Sequence, residues 1–162
     1  MQQTVKDLSG REITIDSAQM EALSTGLHGE LVTPASANYD EVREIWNAMI
    51  DRRPSMIVRC AHADDVVAAV DFARKNKLLV TVRGAGHNIA GNSIADGALM
   101  IDLSAMKSIS VDTSGKIAKV DPGVTLGELD AATQEHGLAL PVGINSTTGI
   151  AGLTLGGGFG WL

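Results

Sequence analysis

Apolar positions recur along this 162-residue chain in two rhythms, short β-branched runs and longer stripes of helical period. Val42, Ile45, Trp46 and Met49 fall at helical spacing and predict a helix over Tyr39–Asp51. The run MIVR (Met56–Arg59) reads as a strand, Ala63–Lys75 as a helix with Val66, Val67, Val70 and Ala73 on one stripe, and Leu79–Arg83 as a second strand. Strand, helix and strand make a βαβ unit with parallel strands and a right-handed crossover. A further strand at Ala98–Asp102 fits beside them. Upstream, Met1 to Asn38 is polar and mixed, a lead-in to the domain.

From Ser108 the rhythm changes. SISVD and KIAKVDP are short strands separated by the turn residues Thr113, Ser114 and Gly115, the pattern of a β-hairpin. Thr125 and Glu128 then have the spacing of a capping box, and Gly137 supplies the left-handed residue expected just past a helix end. Beyond lie an extended segment, Ala139–Val142, and GIAGLTL, a short helix packed through Gly149 and Gly152 whose amino end faces a ligand or, alternatively, only a close-packed neighbour. The fold class is α+β, and three regions follow: a lead-in (1–38), a βαβ-based parallel sheet subdomain (39–107), and the start of a mainly antiparallel one (108–162).

Composition narrows the function. The apolar fraction of 44% is that of a folded protein, and a net charge of −6 argues against a nucleic-acid or anionic-membrane surface. One cysteine excludes an internal disulfide, and the N-terminus has neither the basic start nor the apolar core of a signal peptide. With no stretch of membrane-spanning length, the simplest expectation is a soluble, cytoplasmic protein.

Glycine spacing carries the chemistry. TVRGAGHNIAGNSIADGALMIDLS (Thr81–Ser104) is a β-branched run ending in a loop with Arg83, Gly84, Ala85, Gly86, His87, Asn88 and Gly91. Gly84 and Gly86 let the backbone take positive φ and approach a ligand, and successive N–H groups in such a loop form a concavity for a diphosphate. Arg83 adds a positive charge and His87 a nucleophilic imidazole. The alternative is an ordinary turn with His87 bonded to nearby backbone. A second cluster closes the chain in PVGINSTTGIAGLTLGGGFGWL, with Asn145, Thr147, Thr148, Gly149, Gly152, Gly156, Gly157, Gly158 and Gly160. A P-loop needs Lys and Ser/Thr after its glycines, and Phe159 follows instead. A Rossmann fingerprint belongs after the first strand, where CAHADD has no glycine. No ligand spacing for a metal is present, and His28, His62, His136 and Cys60 read as structural or solvent-facing.

Together, RGAGHN and the later TTGIAGLTLGGGFG, with ALMIDLSAMKSISVD and DPGVTLGELDAATQEHGLALPVG between them, resemble the PCMH-type FAD-binding domain of the vanillyl-alcohol oxidase and p-cresol methylhydroxylase superfamily, in its berberine bridge enzyme-like branch. The resemblance spans about Pro54 to Leu162. It implies FAD as cofactor, attached through the flavin 8α-methyl carbon to His87. Some relatives add a second bond from a cysteine just before the TxGxxG segment; Asn145 stands there, so double attachment is not expected. The backbone of Gly84 to Asn88 would hold the diphosphate, and Thr147–Gly152 and Gly156–Gly160 would line the rest of the FAD. The resemblance further implies an N-terminal fragment of a flavin-dependent oxidase, its catalytic base lying outside this chain and its unfinished sheet edge free for self-association. The alternatives are a scaffold inactive by itself or a noncovalent flavin reductase of the same fold.

Overall fold

The structure, a computed structural model, describes residues 2–161. The segment expected as a lead-in is itself folded. β1 (Gln3–Lys6) and β2 (Glu12–Ile15) pair as an antiparallel hairpin, α1 (Ser17–Thr25) follows on an Asp16/Gln19 capping box, and β3 (Glu30–Val32) joins the main sheet. Val5, Ile15, Leu23 and Val32 are all buried. Each stands nearly alone among polar neighbours, too sparse a pattern to declare a period.

The main sheet contains β3, β4 (Met56–Arg59), β5 (Val80–Arg83) and β6 (Leu99–Asp102) in the order β3-β4-β6-β5, with β3 antiparallel and the rest parallel. The two strands of the βαβ unit are parallel as expected but not adjacent, because β6 lies between them. Burial explains the placement. All of β6 is buried, as a central strand requires, whereas β5 exposes Val82 and tolerates the edge. Alternation then builds two cores. Met56, Val58, Leu99 and Ile101 pack with Ala69 and Ala73 of α3 (Ala63–Asn76), while Ile57 and Met100 face Val32, Tyr39, Val42 and Ile94 on the other side.

Asp65 ties this layer together. Its buried carboxylate accepts the backbone N–H groups of His28 and Gly29 before β3, at 2.7 and 3.1 Å, and those of Ala61 and His62 after β4, at 2.8 and 3.1 Å. Burial pushes the carboxyl pKa up, and these N–H donors outweigh it, leaving the group below its ordinary value.

One helix is shorter than its pattern. α2 runs only over Tyr39–Arg43, and Glu44 turns to an extended conformation (ψ 141°). The remaining helical-looking residues are drawn onto the glycine loop described below. Downstream, β7 (Ile109–Asp112) and β8 (Ile117–Val120) form the expected hairpin, with Asp112 closing its turn through Ser114 and Gly115. α4 (Leu126–Gln134) begins at Thr125, whose N–H and hydroxyl both donate to Glu128. It ends on Gly137 at φ +67°, with Gly137 N–H donating to Gln134 and Leu138 N–H to Thr133. Ala139–Val142 pairs with no strand. α5 (Ile150–Gly156) is a single short helix.

Lys77 caps α3 at φ +54°, a left-handed conformation that favours glycine, so Lys77→Gly should raise stability by roughly 0.5–1 kcal/mol in thermal denaturation. Arg83 and Asp102 are register partners on β5 and β6, joined by a bidentate pair at 3.0 and 2.7 Å, and the Asp102 side chain is 0% exposed. Removing the guanidinium leaves that buried carboxylate only the Ser104 N–H and hydroxyl and Arg59 at 3.8 Å, so Arg83→Ala should cost about 3 kcal/mol in urea unfolding, with partial recovery in Arg83→Lys. A variant of unchanged stability would show that the pair is not a support of the fold.

Candidate cofactor-binding site

The three parallel strands end at one edge of the sheet, where Arg59, Asp102 and Arg83 stand in one register row. The first glycine loop leaves β5 at this edge, the place where open α/β sheets generally bind ligands. Only one of its first two glycines takes positive φ: Gly86, at +73°. Gly84 serves close approach instead, since a Cβ there would stand 3.1 Å from the Pro122 carbonyl oxygen. Arg83 sits differently from the expectation. It is 7% exposed, its guanidinium grips Asp102, and its Nη1 donates to the Glu44 carbonyl at 2.8 Å, so its charge is spent below the loop rather than offered to a ligand.

The stretch after α2 acts as a strap across this loop. Arg83 reaches Glu44; Trp46 N–H donates to Gly86 O at 3.2 Å; Asn47 Nδ2 donates to Ile89 O at 2.8 Å; Arg52 Nη1 donates to Gly91 O and Ile94 O, each at 3.0 Å. Ile45 packs under Gly86 and Ile50 under Gly91. A continued helix would keep the Trp46 N–H inside its own turn. Bonding to the loop instead ends α2 at Arg43.

The second glycine cluster meets the first. Gly149 approaches so closely that a Cβ would lie 2.8 Å from Ala85 Cβ and 3.0 Å from Ala85 N, while Gly152 has open space where a side chain would stand. Between them lies a cleft of about 560 Å³ lined by Val82, Gly84–Asn88, Ile89, Ala90, Asn92, Ser93, Thr148, Gly149, Gly152 and Leu153. No Lys or Arg lines it. Yet among the described residues no acceptor takes the backbone N–H groups of Ala85 to Ala90, and the Ser93 hydroxyl, in a residue 7% exposed, has no partner. Asn88 to Ala90 are exposed, but Gly86 and Ser93 are buried and Ala85 and His87 half-buried; buried polar groups are seldom left this way, so this part of the cleft offers donors to a ligand's acceptor atoms. An FAD diphosphate and a flat ring fit that set: N–H donors for the anion, glycines for close approach, and apolar walls from Val82, Ile89 and Leu153.

His87 lines the cleft, and its ring stacks on Trp46 with centroids 5.2 Å apart and planes 23° from parallel. Burial lowers its pKa below the ordinary 6.5, so the imidazole is neutral at pH 7. Gly91 lies outside the cleft, at φ +72° over Ile50. Asn145 and Thr147 are exposed and occupied with each other, Asn145 Oδ1 accepting from the Thr147 N–H and hydroxyl. Gly157, Gly158 and Gly160 line a separate recess of about 330 Å³ with Pro141, Val142 and Phe159, and Leu153 forms the wall common to both hollows; Gly156 lines neither. Ser93 and Trp46 escaped the sequence reading. Nothing in the spacing marks Ser93, and Trp46 was absorbed into a helical stripe; an aromatic just upstream of a lone loop histidine was the one available hint.

Comparison with known proteins agrees with this geometry. The sequence profile of the family described as FAD binding domain matches residues 54–162. (R)-6-hydroxynicotine oxidase of Paenarthrobacter nicotinovorans is 38% identical over 141 residues, 87% of this chain and 31% of that protein. Among solved structures, Physcomitrella patens BBE-like 1 superposes with a TM-score of 0.82 at 31% identity, covering 88% of this chain and 31% of the other. The grass pollen allergen Phl p 4, described as having glucose dehydrogenase activity, gives 0.80 at 28% identity, covering 88% and 32%. The chain thus spans about a third of the length of these relatives. With the matched residues supplying both glycine clusters and the cleft between them, the chain belongs to the FAD binding domain family, alongside FAD-linked oxidoreductases that include berberine bridge enzyme-like proteins.

Proposed function

We propose that this chain is the FAD-holding part of an oxidoreductase, with His87 as a covalent anchor for the flavin. The observation that carries the reading is the cleft itself, where unpaired N–H groups, the orphaned Ser93 hydroxyl and a neutral histidine face one space. The bound flavin would accept hydride from a C–H next to a hydroxyl or amine. The protein's task is binding and orientation.

The backbone of Ala85 to Ala90 holds the diphosphate through N–H donors, and Ser93 donates its hydroxyl to the same ligand. Gly149 and Gly152 keep the opposite wall low enough for a ring to lie against it. Thr147 and the Gly156–Gly160 loop, beside the cleft rather than in it, complete the site if ligand contact orders them towards it. His87 presents a nitrogen lone pair unencumbered by a proton, the form that a bond to the flavin 8α carbon would require. Relatives named for 6-hydroxynicotine and for glucose support small-molecule substrates bearing an amine or a hydroxyl.

Intact-mass spectrometry of denatured protein tests the anchor. The expected mass is that of the sequence plus one FAD, and His87→Ala should lose the addition while keeping noncovalent flavin. A bare mass together with a colourless native protein would reject the reading. The wall is tested by Gly149→Ala. Its Cβ forces Ala85 away from a 2.8 Å approach, so in the His87→Ala background, where flavin is held without a covalent bond, retention on gel filtration should fall at least about tenfold, which corresponds to about 1.4 kcal/mol, with melting temperature little changed. Undiminished retention would show that Gly149 does not shape the site.

A further inference from the structure

We propose that Trp46 is the positioning residue for His87: its indole backs the imidazole and presents the ring to the cleft in one orientation. This rests on the reading of the cleft as the FAD site and of His87 as its anchor. Histidines with chemical work to do are generally oriented by a hydrogen bond from one ring nitrogen to a carbonyl or carboxylate. Among the described residues, no side-chain hydrogen bond to the His87 imidazole exists. The contact that defines its plane is the stack on Trp46, 5.2 Å between centroids at 23°. His87 lines the cleft and Trp46 does not, so the indole lies behind the imidazole and leaves the ligand side open.

The residue carrying the indole is held by the element it serves. The Trp46 backbone N–H donates to Gly86 O, one residue before the histidine, and the flanking bonds from Asn47 to Ile89 and from Arg83 to Glu44 fix the strap on both sides. Trp46 is 59% exposed, and it is not among the residues forming either apolar core. A large aromatic so placed contributes little to the fold, and among the described residues its one aromatic partner is the histidine. Covering a ring face also removes water from it, in keeping with the lowered pKa of His87, for which burial is the cause and no neighbouring charge contributes. A stack in place of a hydrogen bond leaves both imidazole nitrogens without a partner among the described residues, and a nitrogen that must form a bond to carbon benefits from that freedom.

The test compares wild type with Trp46→Phe, Trp46→Ala and Trp46→Leu, the last keeping apolar bulk without a ring. The His87 ring is titrated by NMR on flavin-free protein, and FAD is then added and its covalent incorporation followed by intact mass. Trp46→Ala and Trp46→Leu should raise the His87 titration towards 6.5 and slow incorporation several-fold at unchanged melting temperature, with Trp46→Phe close to wild type. If His87 titrates identically in all four proteins, Trp46 does not position it and the inference falls, whatever the flavin does. If the titration moves as expected but no variant or wild type takes up FAD, the positioning role stands and the cofactor reading fails. Should both indole-less variants lose incorporation only in proportion to lost stability, Trp46 is a support of the strap and the inference is overturned.

Discussion

The buried pair between Arg83 and Asp102 is the constraint on which the site end of this molecule depends. Two strands that are far apart in sequence reach the same edge of the sheet, and their last residues are locked by a two-point contact at 3.0 and 2.7 Å. Neither charge can leave without costing the other its strongest partner away from water. The pair also faces outwards in a structural sense: the third guanidinium nitrogen holds Glu44, and Asp102 collects the N–H and hydroxyl of Ser104. Loop, strap and the exit of β6 are therefore anchored at one point. The cost is that the only arginine of the glycine loop has no charge left for a phosphate, and the loop must bind anions by its backbone.

That division explains an otherwise odd feature of the cleft, which is lined without a single Lys or Arg yet leaves a run of N–H groups without acceptors. Backbone donors aimed by a fixed loop lose no side-chain entropy on binding and pack closer to a ligand than a lysine would. They need rigidity in exchange. The strap provides it through hydrogen bonds placed along the loop from Gly86 to Ile94 and through Ile45 and Ile50 under the two left-handed glycines. A helix that continued to Asp51 would satisfy its own backbone and leave the loop unsupported.

The second glycine cluster acts differently from the first. Gly149 works by contact, bringing the start of α5 against Ala85, and Gly152 works by vacancy, leaving room where a side chain would fill the cleft. The wall this creates comes from residues whose partners are otherwise few: α5 has no buried residue, and Leu155, Phe159 and Trp161 are strongly exposed. The cleft is consequently firm on the side of the parallel sheet and lightly supported on the side of α5.

Much was legible from residue order alone. β4, α3, β6, the hairpin, the capped helix α4 and the two glycine clusters each carry a local signal: an apolar run, a helical stripe, a turn triplet, a capping pair, a spacing of glycines. The family resemblance and FAD as its cofactor rest on the same kind of signal, because a loop that must come close to a ligand needs glycines wherever it folds. Tertiary structure alone decided the rest. It inserted β6 between β4 and β5, since strand order depends on which run can be buried on both faces. It drew Val5, Ile15 and Leu23 into the core from a segment too sparse in apolar residues to show a period. It stopped α2 at Arg43, turned Arg83 inward to Asp102, set Trp46 against His87 and left Ser93 facing the cleft without a partner, because each of these depends on a neighbour many positions away, where no local pattern can record it.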